Sequence, residues 1–249
     1  MQLLCFVLIL TSLIGWTIAV PTLNTHKAAS PFCDASAVVP DLPSNGNLSV
    51  PPGQSTVAVA LARGLKNYTC SFSTIISTGA LALLYDITCL ASSLAPTAMN
   101  GTTGFNLSLL PPLALQSPFD PFLPYPFCNT SCNSTNSSTI PLDLVGQHYY
   151  IPVANATSNG TAILPFFTLP GYGNVTGTTN GTAPAPQRNG SYVNVDWEEW
   201  VAIQGGVGMF ARTVFQTDTA GGGWKGLTNC SSNGNMTTVN YAALYYFLR

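Results

Sequence analysis

The sequence predicts a mostly β fold, a single antiparallel β-sandwich or partly open β-barrel with long glycosylated loops and disulfides. Three observations lead there. Several runs have strand composition or alternate with period two. No long stretch sustains a 3.6-residue period in helix-forming residues. Six cysteines remain once the first, Cys5, is removed with an export signal, an even number that reads as three disulfides in an oxidising compartment.

The expected organisation has three parts. Residues 1–19 read as a signal peptide: Leu3 to Leu13 is apolar apart from Thr11 and Ser12, and Thr17-Ile18-Ala19 puts small residues where signal peptidase reads. Residues 20–55, with Pro40, Pro43, Pro51 and Pro52, read as an extended lead-in. Residues 56–249 form the β-rich domain. In it, Lys66, Tyr68, Cys70 and Phe72 alternate with Asn67, Thr69 and Ser71, the pattern of a half-buried strand. Gly79 to Thr88 is apolar on both faces and reads as a central strand, pairing with the first across Thr74 to Thr78. A Pro-, Asn- and Ser-rich insertion runs from about 91 to 143, with seven prolines between Pro111 and Pro141, and cannot be a sheet interior. Gln147 to Val153 and Ala162 to Leu169 read as strands, Gly171 to Gly190 as a glycosylated loop. Tyr192 to Val201, Val207 to Asp218 and Val239 to Leu248 have strand composition again. The six cysteines Cys33, Cys70, Cys89, Cys128, Cys132 and Cys230 allow 15 connectivities. The set expected here is Cys70–Cys89, Cys33–Cys230 and a local Cys128–Cys132.

Only 6% of the residues are charged, with a formal net charge of −2. A soluble surface normally carries many Lys, Arg, Asp and Glu. This chain offers 14 Asn-x-Ser/Thr sequons instead, at Asn47, Asn67, Asn100, Asn106, Asn129, Asn133, Asn136, Asn155, Asn159, Asn174, Asn180, Asn189, Asn229 and Asn235. None has Pro in the middle, so each is an N-glycan acceptor in a secretory pathway. The expected location is extracellular or cell wall. No second apolar stretch reaches membrane length, so no stable membrane span is expected after signal cleavage. The acidic balance excludes an electrostatic nucleic-acid binder, which needs a basic stripe.

The catalytic inventory is thin. Of the two histidines, His26 lies in the lead-in and His148 sits beside Tyr149 and Tyr150 at a strand start, with no G-x-S-x-G around any serine. A structural or exposed role is the expectation for His148. No histidine-rich metal site is possible, and Cys128-x-x-x-Cys132 lacks a second pair, so no metal is expected. Asp196, Glu198 and Glu199 cluster around Trp197 and Trp200. On a strand Asp196 and Glu198 share one face, Trp197 and Glu199 the other. Paired acids are the machinery of glycoside hydrolysis, but neighbours two apart on one strand more often form a solvated edge. Asp218, like Asp86, ends an apolar run and fits strand-end hydrogen bonding. Asp196, Glu198, Asp218 and His148 are thus weak catalytic candidates, and the chain is read as leaning non-enzymatic.

Gly206-x-Gly208-x-x-Ala211 matches a dinucleotide fingerprint formally, but strand-forming residues follow where a helix is required. A hairpin turn at Gly205–Gly206 is expected, with no cofactor. Gly221-Gly222-Gly223 lacks the Lys-Ser/Thr of a phosphate loop and reads as a flexible turn before Trp224.

Several ordered blocks carry a resemblance. They are Phe32-Cys-Asp34, Gly64-Leu-Lys-Asn-Tyr-Thr-Cys70, Gly79 to Asp86 with Cys89, Val145-Gly-Gln-His-Tyr149, Asn194-Val-Asp-Trp197, Gly205-Gly206, Thr213 to Gly222, Cys230 and Tyr241-Ala-Ala-Leu-Tyr245. Together they are similar to a family of secreted fungal proteins, with bacterial relatives, catalogued as domain of unknown function number 3455. Lys66 stands where the family usually has Gln, and Gly223-Trp224-Lys225 where it has prolines. Fungal members are often labelled malate dehydrogenase. The resemblance implies that label, not the activity.

The function expected is a secreted, heavily N-glycosylated, disulfide-stabilised protein acting in adhesion, wall structure or interaction, with cell-wall polysaccharide or another extracellular protein as partner. One alternative is a carbohydrate-binding module in which Trp197, Trp200, Trp224, Tyr149 and Tyr150 stack on sugar rings. The other is an extracellular glycan hydrolase.

Overall fold

The computed structural model describes residues 33–44, 46–71, 74–94, 106–117, 127–128, 139–140, 142–153, 163–186, 193–203, 209–224, 234 and 236–249. The expected signal peptide, the Cys128–Cys132 bridge and the Gly205–Gly206 turn lie outside these residues, as do nine of the sequons.

Ten strands follow in order: β1 (Thr56–Ser71), β2 (Thr74–Asp86), β3 (Phe127–Cys128), β4 (Thr139–Ile140), β5 (Leu144–Pro152), β6 (Ile163–Leu169), β7 (Gly173–Ala183), β8 (Trp197–Ala202), β9 (Thr213–Gly221) and β10 (Met236–Leu248). Eight of them close into an antiparallel barrel in the order β1-β10-β9-β8-β7-β6-β5-β2, and β3 and β4 pair separately. The expected β-rich fold is thus a barrel, and it is closed. Closure comes from β1, which pairs with β2 on one side and with β10 on the other. The β1–β10 ladder runs from Thr56↔Leu248 to Thr69↔Met236, joining strands from opposite ends of the sequence.

Period-two alternation sorts β1 between the two sides of the wall. Ala58, Ala60 and Ala62 enter the inner core with Tyr241, Ala243, Tyr245 and Phe247 of β10. Cross-strand partners are Ala58↔Phe247, Ala60↔Tyr245, Ala62↔Ala243 and Gly64↔Tyr241. Small residues on one strand therefore make room for rings on the next, the way small barrels fill their interiors. Phe167, Trp200, Val214 and Leu84 complete the plug. Val59 and Leu61 point outward into a second core with Leu244, Tyr246, Leu248, Phe215 and Trp197.

That outer core is covered by the lead-in, through Ala35, Val38 and Leu48, and by part of the insertion, through Ala91, Leu110 and Ala114. The insertion thus holds two short helices, α1 (Thr88–Leu94) and α2 (Leu110–Gln116). Seven residues are too few for a legible helical period, and Pro111-Pro112 at the start of α2 occupy the first turn, where missing N–H groups cost nothing. Arg63, buried on the outer side, ties α2 down. Its Nε donates to the Ala114 carbonyl at 3.0 Å, Nη2 to that of Leu115 at 3.4 Å, and Nη1 to those of Gly64 and Tyr241 at 3.0 and 3.3 Å. The first two carbonyls end a helix, where a cation is favoured. Burial lowers the Arg63 pKa to about 10, which leaves it charged at neutral pH.

Three expectations change. Cys33 bonds Cys89, with Cα atoms 5.0 Å apart, so neither Cys70–Cys89 nor Cys33–Cys230 forms. The hairpin register explains why: Cys70 faces Ile75 at one end of the β1–β2 ladder, while Asp86, just ahead of Cys89, faces Ala60 near the other, about 30 Å away. Cys70 is itself disulfide-bonded, to a cysteine outside the described side chains. Second, much of the expected 171–190 loop is strand β7. Its Gly and Thr composition answers to packing, since a Cβ on Gly177 would sit 3.0 Å from the Trp200 Cβ. Third, Gly221-Gly222-Gly223 is held rather than loose. Gly222 donates to the Asn240 carbonyl at 2.9 Å and Gly223 to that of Val193 at 2.9 Å.

Gly222 adopts φ +79°, and a Cβ there would lie 2.5 Å from Val195 Cγ1 and 2.8 Å from Tyr241 Cβ. Gly222→Ala is therefore expected to destabilise the barrel by about 2–4 kcal/mol, from left-handed strain plus overpacking. Urea denaturation measures it, and a midpoint equal to that of the parent would contradict this packing.

Candidate functional site

Among the described residues one end of the barrel holds a cleft. There the C-terminal end of β1, the start of β2, the β5–β6 ends, the approach to β8 and the residues after β9 surround a cleft of about 400 Å³. Its lining includes Lys66, Tyr68, Ser77, Tyr150, Asp196, Glu198 and Trp224. At the far end Tyr172, Met209 and Phe210 pack against the inner aromatics.

Each group reaches the mouth for a reason of register. Lys66 and Tyr68 continue the inward face of β1 past the last alanine. A bulge between Asn67 and Tyr68 then sets Tyr68 opposite Ser77, so both line the opening. Tyr68 Oη donates to the Gly222 carbonyl at 2.5 Å, pinning the residues after β9 to the rim. Trp224 follows two residues on and is 44% exposed. Asp196 and Glu198 share the face that looks into the cleft. Trp197 and Glu199 take the other side, where buried Glu199 accepts from Asn180 Nδ2 at 3.0 Å.

The electrostatics are uneven. Lys66 Nζ lies 3.5 Å from Glu198 Oε1, with both side chains largely shielded from water. Asp196 is exposed, and no ion pair to it occurs among the described residues. Burial, reinforced by Glu198 and then Asp196, pushes the Tyr68 phenol up to about 12. Burial, with Glu198, Tyr241 and Tyr68 adding to it, raises Tyr150 well above its ordinary range. Both phenols therefore stay protonated at neutral pH, and the Tyr68 proton is given to the Gly222 carbonyl.

Beneath the mouth runs a buried polar file. Tyr241 and Tyr245 hydroxyls meet at 3.4 Å, Tyr245 donates to Gln216 Oε1 at 2.7 Å, and Gln216 Nε2 donates to the Asp196 carbonyl at 3.1 Å. The file fixes the strand that presents Asp196. His148 lies deeper still, fully buried and stacked on Phe167 at 4.3 Å. Its Nδ1 is 3.1 Å from the Phe166 carbonyl, so that nitrogen carries the proton, and Nε2 has no partner among the described residues. Burial lowers its pKa to about 3, with Lys66 adding to the effect against the Phe166 hydrogen bond.

The candidates from sequence therefore separate. Asp196, Glu198, Tyr150 and Trp224 converge on the cleft. Trp200 is 1% exposed inside the barrel, and Trp197 belongs to the outer core, so neither can stack on a ligand. Tyr149 points outward against Phe166 at 5.1 Å. Asp218 occupies a bulge in β9 at φ +49°, accepts from Thr217 Oγ1 at 3.0 Å and is remote from the cleft lining. Ala211 of the glycine motif leads into β9, antiparallel to β8, so no helix amino terminus follows to receive a pyrophosphate. Tyr68 and Lys66 complete the site. Their signal was the alternation along β1, which shows the face but not the end of the barrel it reaches. Of the sequons that can be placed, Asn47, Asn106, Asn174 and Asn180 are exposed and Asn67 is half-buried on the outer face.

The family model for a protein of unknown function (DUF3455) matches residues 51–249. The chain belongs to that family. The match begins just before β1 and runs through β10, so the DUF3455 unit is the barrel together with the insertion that packs on it. No curated protein and no solved structure matches the chain. Among the described residues no helix is long and apolar enough to cross a membrane.

The buried imidazole makes a pH prediction. Folded, His148 is neutral down to about pH 3; in the unfolded chain it takes a proton near 6.5. The folded value is the lower one, so stability is complete above about pH 6.5 and falls as pH drops below it. Between about pH 6.5 and 4.5 the loss from this group is roughly 2–3 kcal/mol. His148→Phe, similar in size and ring shape, is expected to remove that part of the acid sensitivity. Urea midpoints at the two pH values measure it, and identical pH slopes for the two proteins would contradict it.

Proposed function

We propose that this protein is a secreted N-glycosylated module, without catalytic activity, that binds carbohydrate at the mouth of its barrel. The observation that carries this reading is the cleft in which exposed Trp224 shares the lining with Tyr68, Tyr150 and two carboxylates. Sugar rings present apolar C–H faces that settle on aromatic rings. Their hydroxyls need acceptors and donors at the edges of those rings, which Asp196, Glu198, Ser77 and the phenols supply. A cleft of this size suits one or a few sugar units.

Export accords with the signal-like amino terminus and the density of sequons. The Cys33–Cys89 bridge, clamping the lead-in to the end of β2, accords with an oxidising compartment.

Hydrolysis is the weaker reading. Glycosidase carboxyls flank the scissile bond from two sides, whereas Asp196 and Glu198 stand two apart on one wall, with Lys66 engaging Glu198. A dehydrogenase reading needs a helix after the glycine motif, where Ala211 leads instead into strand β9.

The test is retention of the mature protein, purified from the medium of a secreting eukaryotic host, on insoluble chitin, glucan and mannan. Retention on at least one is expected, reduced at least tenfold by Trp224→Ala and little changed by Tyr149→Ala on the outer wall. Absence of retention on all three, or equal retention by the two variants, would overturn the reading.

A further inference from the structure

The charge pattern in the cleft narrows the ligand further, on the footing that the cleft binds sugar. Among the described residues three charged side chains line it, one ammonium and two carboxylates, and they do not balance. Lys66 is committed to Glu198 at 3.5 Å. Asp196 remains, sharing the lining with an exposed Trp224, Tyr68 and Tyr150. Aromatic faces and an unpaired carboxylate attract one kind of group in common. A cation is drawn to the negative face of each ring and to the carboxylate together. A neutral sugar uses the rings and leaves the carboxylate with hydrogen bonds that water already supplied.

The polar file below supports this assignment independently. Gln216 holds the Asp196 carbonyl at 3.1 Å and is itself held by Tyr245 at 2.7 Å, so the backbone that presents the carboxylate is fixed before any ligand arrives. A preorganised charge loses less on binding than a mobile one. The phenols add to the bias. With both kept protonated, Asp196 is the ionic group of the lining that has no ion pair among the described residues.

From this we infer that the cleft selects sugars bearing a free amine, with the ammonium of a 2-amino sugar against Asp196 and the pyranose face on Trp224. Glu198 is the reserve partner: released from Lys66, it would present a second carboxylate to the same ligand. Lys66 thereby tunes the selectivity, holding the lining one negative charge short of what its acids could offer.

The experiment is calorimetric titration of the mature full-length protein with three probes of equal length at low salt. They are a tetramer of β-1,4-linked glucosamine, its fully N-acetylated counterpart and a β-1,4-linked glucose tetramer, at a pH where the amine is protonated. The expected result is at least tenfold tighter binding of the amine-bearing tetramer, falling several-fold as salt is raised. Asp196→Asn should bring the ratio between the amine-bearing and neutral probes to near one, and Lys66→Gln should increase it. Equal affinity for all three probes, or a preference unmoved by Asp196→Asn, would overturn amine selectivity while leaving sugar binding intact. No binding of any probe would overturn both.

Discussion

The pairing of β1 with β10 is the constraint on which the rest of the molecule depends. It joins the first barrel strand to the last, so the sheet has no free edge and the inside is separated from the outside. Once closed, alternation along each strand does two jobs at once. Inward residues of β1 and β10 build a plug of alanines against rings, and outward residues of the same strands build a second core for the lead-in and the helices. Any slip of one residue would exchange the two sets. The small-against-large partners on the inner face oppose such a slip, because Val59, Leu61 and Arg63 would then face the rings where alanines fit now.

Closure also creates the cleft. Below Lys66 the barrel is filled; from Lys66 upward the inward positions carry polar and aromatic side chains, Lys66 and Tyr68 themselves buried, that line the cleft. The mouth is in this sense the unfinished end of the core. Tyr68 shows the economy of the arrangement: its ring lines the cleft while its hydroxyl, bonded to the Gly222 carbonyl, fastens the segment that delivers Trp224. The glycine at that contact is required because Tyr241 and Val195 leave no space for a Cβ. Core packing and cleft shape therefore share residues, and a binding surface built this way is rigid before the ligand comes.

Much of this was legible in the chain. Alternation at Lys66, Tyr68 and Cys70 gave the inward face of β1, and the placing of Asp196 and Glu198 opposite Trp197 and Glu199 followed from strand geometry alone. What was not legible depended on contacts distant in sequence. Strand β7 has the composition of a loop, and neighbours distant in sequence account for two of its glycines, Trp200 against Gly177 and Asn47 and Leu48 against Gly181. Helices α1 and α2 are too short for a period and gain their stability from the barrel wall and Arg63. The Cys33–Cys89 bridge could not be read without the β1–β2 register, which puts Cys70 and Cys89 at opposite ends. Tryptophans looked interchangeable as stacking residues, yet Trp197, Trp200 and Trp224 lie in the outer core, the inner core and the cleft respectively. Burial, not residue type, separates them.

The central claim is that an aromatic and acidic mouth on a closed barrel is a sugar site. A crystal structure of the mature protein soaked with a β-1,4-linked glucosamine oligomer tests it most directly. The account predicts one sugar ring stacked on Trp224 with its polar edge within hydrogen-bond distance of Asp196. Sugar density on the outer wall instead, or an empty mouth at saturating ligand, would contradict it.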